Sequence, residues 1–376
     1  MKNPLRVGAK KLSGKAPDPI RKLFQPYHTS NMLKQLQKRF GNVIPDIQRN
    51  RAFENDIRTY WKEKLEININ PAWHLLFKAF TGNEDVRFVS QFIWKEAIHH
   101  SLNNPDFFYP VIGDKNFADF LFGTEHLPKT VVKRIRSRFY DETNTIISHD
   151  EAFTRIRSYK FDKIVKPSMS CRGQKVFQLN SDEKYIYLDS TTLSELDFLE
   201  LMGEDFIVQH KVEQHPVLAS PHPSSLNSIR ICTMRLGNDI IQLPSVMKFG
   251  TKNRITDNTS LIMGIEPDGT LTEAAYNFEM NALKNHPTTG YSFSKLHKVP
   301  NFLDASALCK ELHQNILHMD FAAWDVAITP NCSPIIIEVN SNPTVWSFQF
   351  INKKPFFGDY TEEVLHWVRS RQNNRK

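Results

Sequence analysis

The chain has 376 residues, 40% of them hydrophobic and 24% charged, with 27 phenylalanines and a formal net charge of +7. That composition excludes a disordered or low-complexity protein and predicts two or three subdomains around substantial cores. No run approaches the ~18 apolar residues of a membrane span, and the N-terminus has no signal-like apolar core. Cys171, Cys232, Cys309 and Cys332 are scattered without metal or disulfide spacing, so a reduced, cytoplasmic protein is expected.

Much of the positive charge lies near the N-terminus, where Lys2, Arg6, Lys10, Lys11, Lys15, Arg21, Lys22, Lys34, Lys38 and Arg39 stand against Asp18 alone. Such an arm can touch an anionic surface, but it contains no defined nucleic-acid module. A solvated tail leading into a surface helix is the plainer reading. Apolar residues three or four apart predict helices over 32–40, 53–65, 73–80 and 89–102, with Asn and Pro between them. Trp61, Trp73 and Trp94 read as packing between these helices.

From about residue 106 the signals mix. The pattern predicts helices at 116–122 and 129–140, then strands at 163–166, 176–179 and 184–188. A helix starting at Ser190 or Thr191, with Glu195 as its capping-box partner, leads into a strand at 205–209. Beyond that the chain is strand-rich: 228–236 and 240–249 flank Gly237, Asn238 and Asp239, a hairpin signal. A helix over 305–319, strands over 323–329 and 335–340 and a last helix over 361–371 follow, with no internal repeat. Helices alternating with antiparallel hairpins predict an α+β protein rather than a doubly wound parallel sheet. Its expected parts are a helical N-terminal region (1–105) and two subdomains (106–208 and 209–376).

The segment WDVAITPNCSPIIIEVN, 324–340, is the most informative. A turn centred between Asn331 and Cys332 sets Asp325 opposite Glu338, and Asn340 shares the face of Glu338. Opposed β-carbons lie ~5 Å apart, so two carboxylates there need positive charge between them. Mg2+ prefers oxygen ligands and supplies that charge, with the Asn340 amide as a neutral third donor. Geometry alone equally allows one carboxylate to pair with a surface Lys or Arg, or the register to slip so that both are solvated.

Lys166 ends a strand just before a loop containing Ser168, Ser170, Gly173 and Lys175. Small residues let backbone N–H groups approach phosphate oxygens while a lysine supplies a point charge. Alone, this is also what an ordinary turn looks like, and Lys115 alone reads as a surface helix residue. Arg230 heads a strand, and Lys248 and Arg254 follow. Cations converging on one site suit a transferring phosphate, whereas isolated strand-edge cations are solvated.

Taken in order, DKNFADFLF (114–122), IVKPS (164–168), HPSSLNSIR (222–230), MKFG with TDN (247–250, 256–258) and WDVAITP…IIEVN resemble the ATP-grasp superfamily. The resemblance spans roughly residues 105–350 and is closest to the sugar-transfer associated ATP-grasp family of bacterial polysaccharide biosynthesis. It implies two α+β subdomains gripping ATP between their sheets, behind a helical leader. Lys115 and Lys166 would then contact the nucleotide phosphates, with the loop 168–175 closing over them. The strand 206–209, with Ile207, Val208 and Gln209, would be the hinge whose backbone meets adenine. Asp325, Glu338 and Asn340 match the family's Mg2+ ligands, for one or two ions with Mn2+ as a substitute, and Arg230 would stabilise the transferred phosphate.

This chain departs from the pattern in three places. The loop has only Gly173, Gln209 stands where many relatives are acidic, and Ser-Asn-Pro-Thr follows Asn340 without the glycine many ligases carry. The implied activity is a ligase that activates a carboxylate as an acyl phosphate for an amine or other nucleophile, in cell-surface polysaccharide biosynthesis. A sugar or polyol kinase on the same scaffold and a non-catalytic nucleotide-binding protein are the alternatives. The acceptors and the oligomeric state have no motif here.

Overall fold

The computed structural model describes residues 29–44, 46–103, 108–158, 162–169, 175–189, 191–252, 255–256 and 261–373. The basic arm up to residue 28, and Ser170, Gly173 and Arg254, lie outside the described residues. The N-terminal region is helical as the spacing predicts, with helices Thr29–Phe40, Arg51–Leu65 and Ala72–Thr81. Asn50 caps the second, accepting from the Phe53 N–H at 3.2 Å. The helix expected over 89–102 runs instead as Gln91–Ile93, a π-helical turn Trp94–Ile98, and His99–Leu102. Trp61 and Trp94 are fully buried, in keeping with a packing role.

One sheet is built from β1 (Thr130–Ile135), β2 (Arg138–Tyr140), β3 (Ile146–Ile147), β4 (Lys163–Pro167), β5 (Phe177–Ser181), β6 (Ile186–Leu188), β7 (Thr191–Leu193) and β8 (Phe206–His210). Their order is β3-β2-β1-β8-β4-β5-β6-β7, and every ladder is antiparallel. The expected helix over 129–140 is therefore wrong: that stretch is the β1–β2 hairpin. Its turn residues Arg136 and Ser137 adopt φ of 47° and 66°, a two-residue turn without the Asn-Gly or Asp-Gly that usually marks one. The expected helix start at Ser190 or Thr191 also moves. Thr191–Leu193 pairs with β6, and the helix Glu195–Met202 is capped by Ser194 with Asp197, not Glu195, completing the box. Helices His149–Ser158 and Glu195–Met202 cover one face, packing Phe153, Ile156 and Phe198 on Val132, Val165 and Val208.

The second sheet contains β9 (Ile229–Leu236), β10 (Asp239–Phe249), β11 (Leu261–Ile265), β12 (Ala275–Tyr276), β13 (Ala282–Leu283), β14 (Phe321–Ile328) and β15 (Pro334–Asn340), in the order β13-β12-β11-β10-β9-β14-β15. Its ladders too are antiparallel. The helix expected over 305–319 is Phe302–His313. It stops there because the buried His313 ring bonds the Met319 carbonyl (2.9 Å) and Thr233 Oγ1 (2.6 Å), folding the chain back towards the sheet.

The other face of this sheet explains where a site can form. Met234 and Cys232 on β9, with Phe321 and Ala323 on β14, are buried in one core with the N-terminal helices and with Val345–Asn352 and Thr361–Asn373. Two residues further along each strand the same face carries Arg230 and Asp325. It is apolar where helices cover it and charged where they end. Among the described residues no helix is long and apolar enough to cross a membrane.

Candidate functional site

The charged end of the second sheet and the uncovered face of the first enclose a cleft. Lys115, Lys166 and Gln209 line one side, and Asp325 and Glu338 the other. The β14–β15 hairpin pairs Asp325 with Glu338, as the sequence predicts, but by a different route. Ile328↔Pro334, Ala327↔Ile335 and Val326↔Ile336 centre the turn on Asn331. Ile337 is then left over as a bulge, and the ladder resumes at Asp325↔Glu338. Asn340 Nδ2 lies 3.2 Å from Glu338 Oε1 and 3.5 Å from Asp325 Oδ2, so the three side chains converge.

On its other side Asp325 faces Arg230 across the β9 ladder. Arg230 donates from Nε to Oδ1 (2.7 Å) and from Nη2 to Oδ2 (2.5 Å), and Lys248 Nζ lies 3.3 Å from Oδ2. Burial would raise the pKa of Asp325, but Arg230 and then Lys248 outweigh it and hold the carboxyl well below the usual range. Arg230 and Lys248, expected at a transferred phosphate, are thus found holding Asp325. The charge that two opposed carboxylates require is already partly supplied by the protein.

Across the cleft Lys166 is buried on β4. Burial, and Lys115 beside it, push its pKa down to about 8 against the pull of Glu338. The Lys115 N–H donates to the Ser168 carbonyl at 3.1 Å, and its Nζ lies 3.3 Å from the same oxygen and 3.9 Å from Glu338 Oε2. Ser168 is itself buried, and its Oγ has no hydrogen-bond partner among the described residues. Lys175 is not part of this group: its Nζ donates to the Leu201 carbonyl at 2.9 Å.

The segment that presents Lys115 is anchored by a residue sequence reasoning passed over. The fully buried Lys133 of β1 donates to the Asn116 carbonyl (2.9 Å), Asp119 Oδ2 (2.6 Å) and Asn144 Oδ1 (2.7 Å). The available signal was a lysine inside the β-branched run TVVKRI, but that run was expected to be helical.

The strand expected as the hinge lies within the first sheet. Ile207 pairs with Lys133 and Lys166, and Val208 with Val132 and Val165, so both sit inside the sheet with ladders on each side. The chain leaves the sheet after His210, and Lys211 and Val212 line the cleft beside Gln209. Gln209 Nε2 donates to the Pro128 carbonyl at 3.2 Å. Ile164, Val176, Leu226, Ile255 and Ile337 make this end of the cleft apolar.

The motif HPSSLNSIR does more than place Arg230. His222 Nε2 donates to the Lys252 carbonyl (2.6 Å), its Nδ1 lies 2.8 Å from Ser225 Oγ, and Ser225 Oγ donates to Asn227 Oδ1 (2.9 Å). Asn227 Nδ2 donates to the carbonyls of Leu218 (2.8 Å) and His222 (3.1 Å), and its Oδ1 accepts from the Gly250 N–H (3.3 Å). All three side chains are buried, so this is a satisfied scaffold joining the 211–228 connection to the end of β10. Gly250 is required by the close approach, since a Cβ there would sit 2.4 Å from Ser225 Oγ.

Among the described residues no three His, Cys, Asp or Glu side chains cluster as a metal site. The donors available for a cation are the two carboxylates and the Asn340 amide, a hard oxygen set of the kind Mg2+ takes. As placed, the amide turns its nitrogen to the carboxylates, and its oxygen would face a cation only after rotation.

No curated protein matches the chain in sequence. Solved structures to which the chain is similar include the ATP-grasp ligase PsnB with precursor peptide PsnA2 and AMPPNP (11% identity, TM-score 0.41, covering 71% of this chain and 62% of that one). N5-carboxyaminoimidazole synthetase from Staphylococcus aureus complexed with ADP is 12% identical, with a TM-score of 0.40 over 69% of this chain and 52% of that one. The VanG D-Ala:D-Ser ligase from Enterococcus faecalis is 14% identical, with a TM-score of 0.40 over 69% of this chain and 62% of that one. The chain thus spans between 52% and 62% of the length of these structures, and likeness at this level says nothing of substrate or mechanism. A family model gives the assignment: over residues 96–364 the chain matches sugar-transfer associated ATP-grasp, and it belongs to that family.

Proposed function

We propose that the chain is a Mg-ATP-dependent ligase, with residues 106–208 and 209–376 as the two subdomains that close on the nucleotide. One observation carries this reading: Lys115 and Lys166 face Asp325 and Glu338 across the cleft. One wall offers cations to phosphate oxygens, and the other offers oxygen donors to a divalent cation. A buried lysine whose pKa is lowered by burial and by a second lysine is a place that favours an anion. The apolar end by Ile164, Val176 and Leu226 suits a purine, bordered by Gln209, Lys211 and Val212.

In this reading Asp325, Glu338 and Asn340 hold Mg2+, for which Mn2+ can substitute. Once bound, the ion neutralises charge on the nucleotide's phosphate oxygens. Lys115 and Lys166 grip those oxygens, and Arg230 and Lys248 keep Asp325 ionised and fixed. Arg254 is retained as a further cation for the transferred phosphate, and Ser168 with its loop as a cover. A substrate carboxylate oxygen attacks the γ-phosphorus, the bond to the β–γ bridging oxygen breaks, and ADP leaves. The nucleophile, an amine in the simplest case, then attacks the acyl carbon, loses a proton and expels inorganic phosphate. A sugar-linked acceptor in polysaccharide biosynthesis follows from the family's description alone.

Mass spectrometry of metabolite extracts incubated with the protein and ATP tests this, with Glu338→Gln as control. A ligase joins two substrates and releases one phosphate for each ADP. Phosphate retained on a single product would identify a kinase instead, and an unchanged metabolite profile would leave only nucleotide binding. The same products from Glu338→Gln as from wild type would overturn the metal assignment.

A further inference from the structure

We propose that Trp94, His99 and Asn103, in the helical segment ahead of the first sheet, are positioning residues of the metal site. They hold the peptide that follows Asn340 and, through it, the geometry of the ligand set. This rests on the reading of Asp325, Glu338 and Asn340 as metal ligands.

The geometry is specific to one end of the hairpin. Asn340 ends β15, and the carbonyl of the next residue, Ser341, accepts from His99 Nε2 (3.0 Å) and Asn103 Nδ2 (3.2 Å). Trp94 Nε1 donates to Asn342 Oδ1 at 2.8 Å. Asn103 also grips the neighbouring strand: its Nδ2 donates to the Phe321 carbonyl (3.0 Å) and its Oδ1 accepts from the Phe321 N–H (3.0 Å). One side chain therefore ties the first residue of β14, which carries Asp325, to the residue after Asn340. Ala323 and Asn340 pair directly in that ladder, so the clamp sits at the register point of the ligand-bearing strands.

Trp94, His99 and Asn103 are all buried, where each hydrogen bond is hard to replace with water. Burial pushes the His99 pKa down to about 4, against the pull of the Ser341 carbonyl, so the ring is neutral near pH 7 and donates through Nε2–H. The π-helical turn has a matching purpose. Residues five apart on an α-helix point about 140° away from each other. Here the His99 N–H bonds the Trp94 carbonyl, and the wider turn lets both side chains serve the same loop. His99 and Asn103 also fall inside the span the family model matches. Groups that orient a metal's ligands from behind typically contribute 10–100-fold to its affinity.

The test is calorimetric titration of ATP into the full chain over a series of Mg2+ concentrations. The variants are His99→Ala, His99→Gln, Asn103→Ala and Trp94→Phe. Ile57→Val, a fully buried change in the same apolar core but away from the hairpin, controls for general loss of stability. The half-saturating Mg2+ concentration is expected to rise about tenfold in His99→Ala and Asn103→Ala, less in Trp94→Phe, and to recover in His99→Gln. ATP affinity at saturating Mg2+ should stay near wild type. If Asn103→Ala does not fold, the His99 pair and Trp94→Phe decide the matter. A Mg2+ requirement within about twofold of wild type in the folded variants, or an equal rise in Ile57→Val, would overturn the proposal. A wild-type chain that binds ATP without any response to Mg2+ would overturn the metal reading and this inference with it.

Discussion

Arg230 and Asp325 face each other from neighbouring strands and meet through two hydrogen bonds, Nε to Oδ1 at 2.7 Å and Nη2 to Oδ2 at 2.5 Å. Because Asp325 is buried, its charge depends on this pair more than on solvent. Removing one partner of a buried pair typically costs about 3–5 kcal/mol. Lys248, at 3.3 Å, offsets part of that, so Arg230→Met is expected to lose about 3 kcal/mol in urea unfolding at neutral pH. Adding Asp325→Asn should restore more than half of the loss. A double variant no more stable than Arg230→Met would show that Arg230 acts through something other than the charge of Asp325.

Lys166 gives a pH prediction. Folding lowers its pKa from the usual ~10.4 to about 8. Between those values the unfolded chain binds the proton and the folded one does not, so this group's contribution to stability rises as pH climbs through 8. A bound phosphate favours the charged form and raises the pKa again. ATP binding near pH 8.5 should therefore take up protons, seen as a buffer-dependent heat, and affinity should fall as pH rises beyond 8. Lys166→Arg, always charged, should show neither effect.

Gly250 tests the buried scaffold. Its substitution by Ala places a methyl 2.4 Å from Ser225 Oγ and 3.0 Å from the Thr256 carbonyl. Overpacking of this kind costs about 1–3 kcal/mol. Ser225→Gly in the same chain removes the clash but also the hydroxyl bonded to His222 and Asn227, so the double variant should recover only part of the stability, as a thermal-melt comparison of the single and double variants would show.

Lys133 should couple stability to binding. Lys133→Met removes the buried cation beside the Asp119 carboxylate, leaving it the Asn144 amide at 3.0 Å, at a cost of about 3 kcal/mol. It also loosens the segment presenting Lys115, so ATP affinity should drop in the protein that still folds. Unchanged affinity beside lowered stability would mean that Lys115 is held by Ser168 alone.

The hairpin that carries Asp325 and Glu338 was legible because two β-branched runs around a Pro-flanked turn fix a strand pair, and the period of two then fixes the faces. The turn is tighter than expected and Ile337 bulges, yet the two shifts cancel at Asp325 and Glu338. A bulge leaves no signature in residue type, so only the net register could be read. The β1–β2 hairpin was hidden for a different reason: Arg136 and Ser137 adopt left-handed conformations without glycine or asparagine to announce them. That error concealed Lys133. The strand expected over 205–209 is found at Phe206–His210, where the apolar run Phe206-Ile207-Val208 gives way to the more polar Lys211-Val212-Glu213. Which carboxylate Arg230 would meet depends on the alignment of β9 with β14, strands separated by some ninety residues of chain that no local pattern relates.

The central claim is that Lys115, Lys166, Asp325, Glu338 and Asn340 form one Mg-ATP site. The most direct measurement is calorimetric titration of ATP, with and without Mg2+, into wild-type protein and Glu338→Gln. Mg2+ should tighten ATP binding to the wild type by at least about tenfold, and Glu338→Gln should lose most of that gain while keeping its melting temperature. Equal Mg2+ enhancement in both proteins, or none in the wild type, would contradict the account.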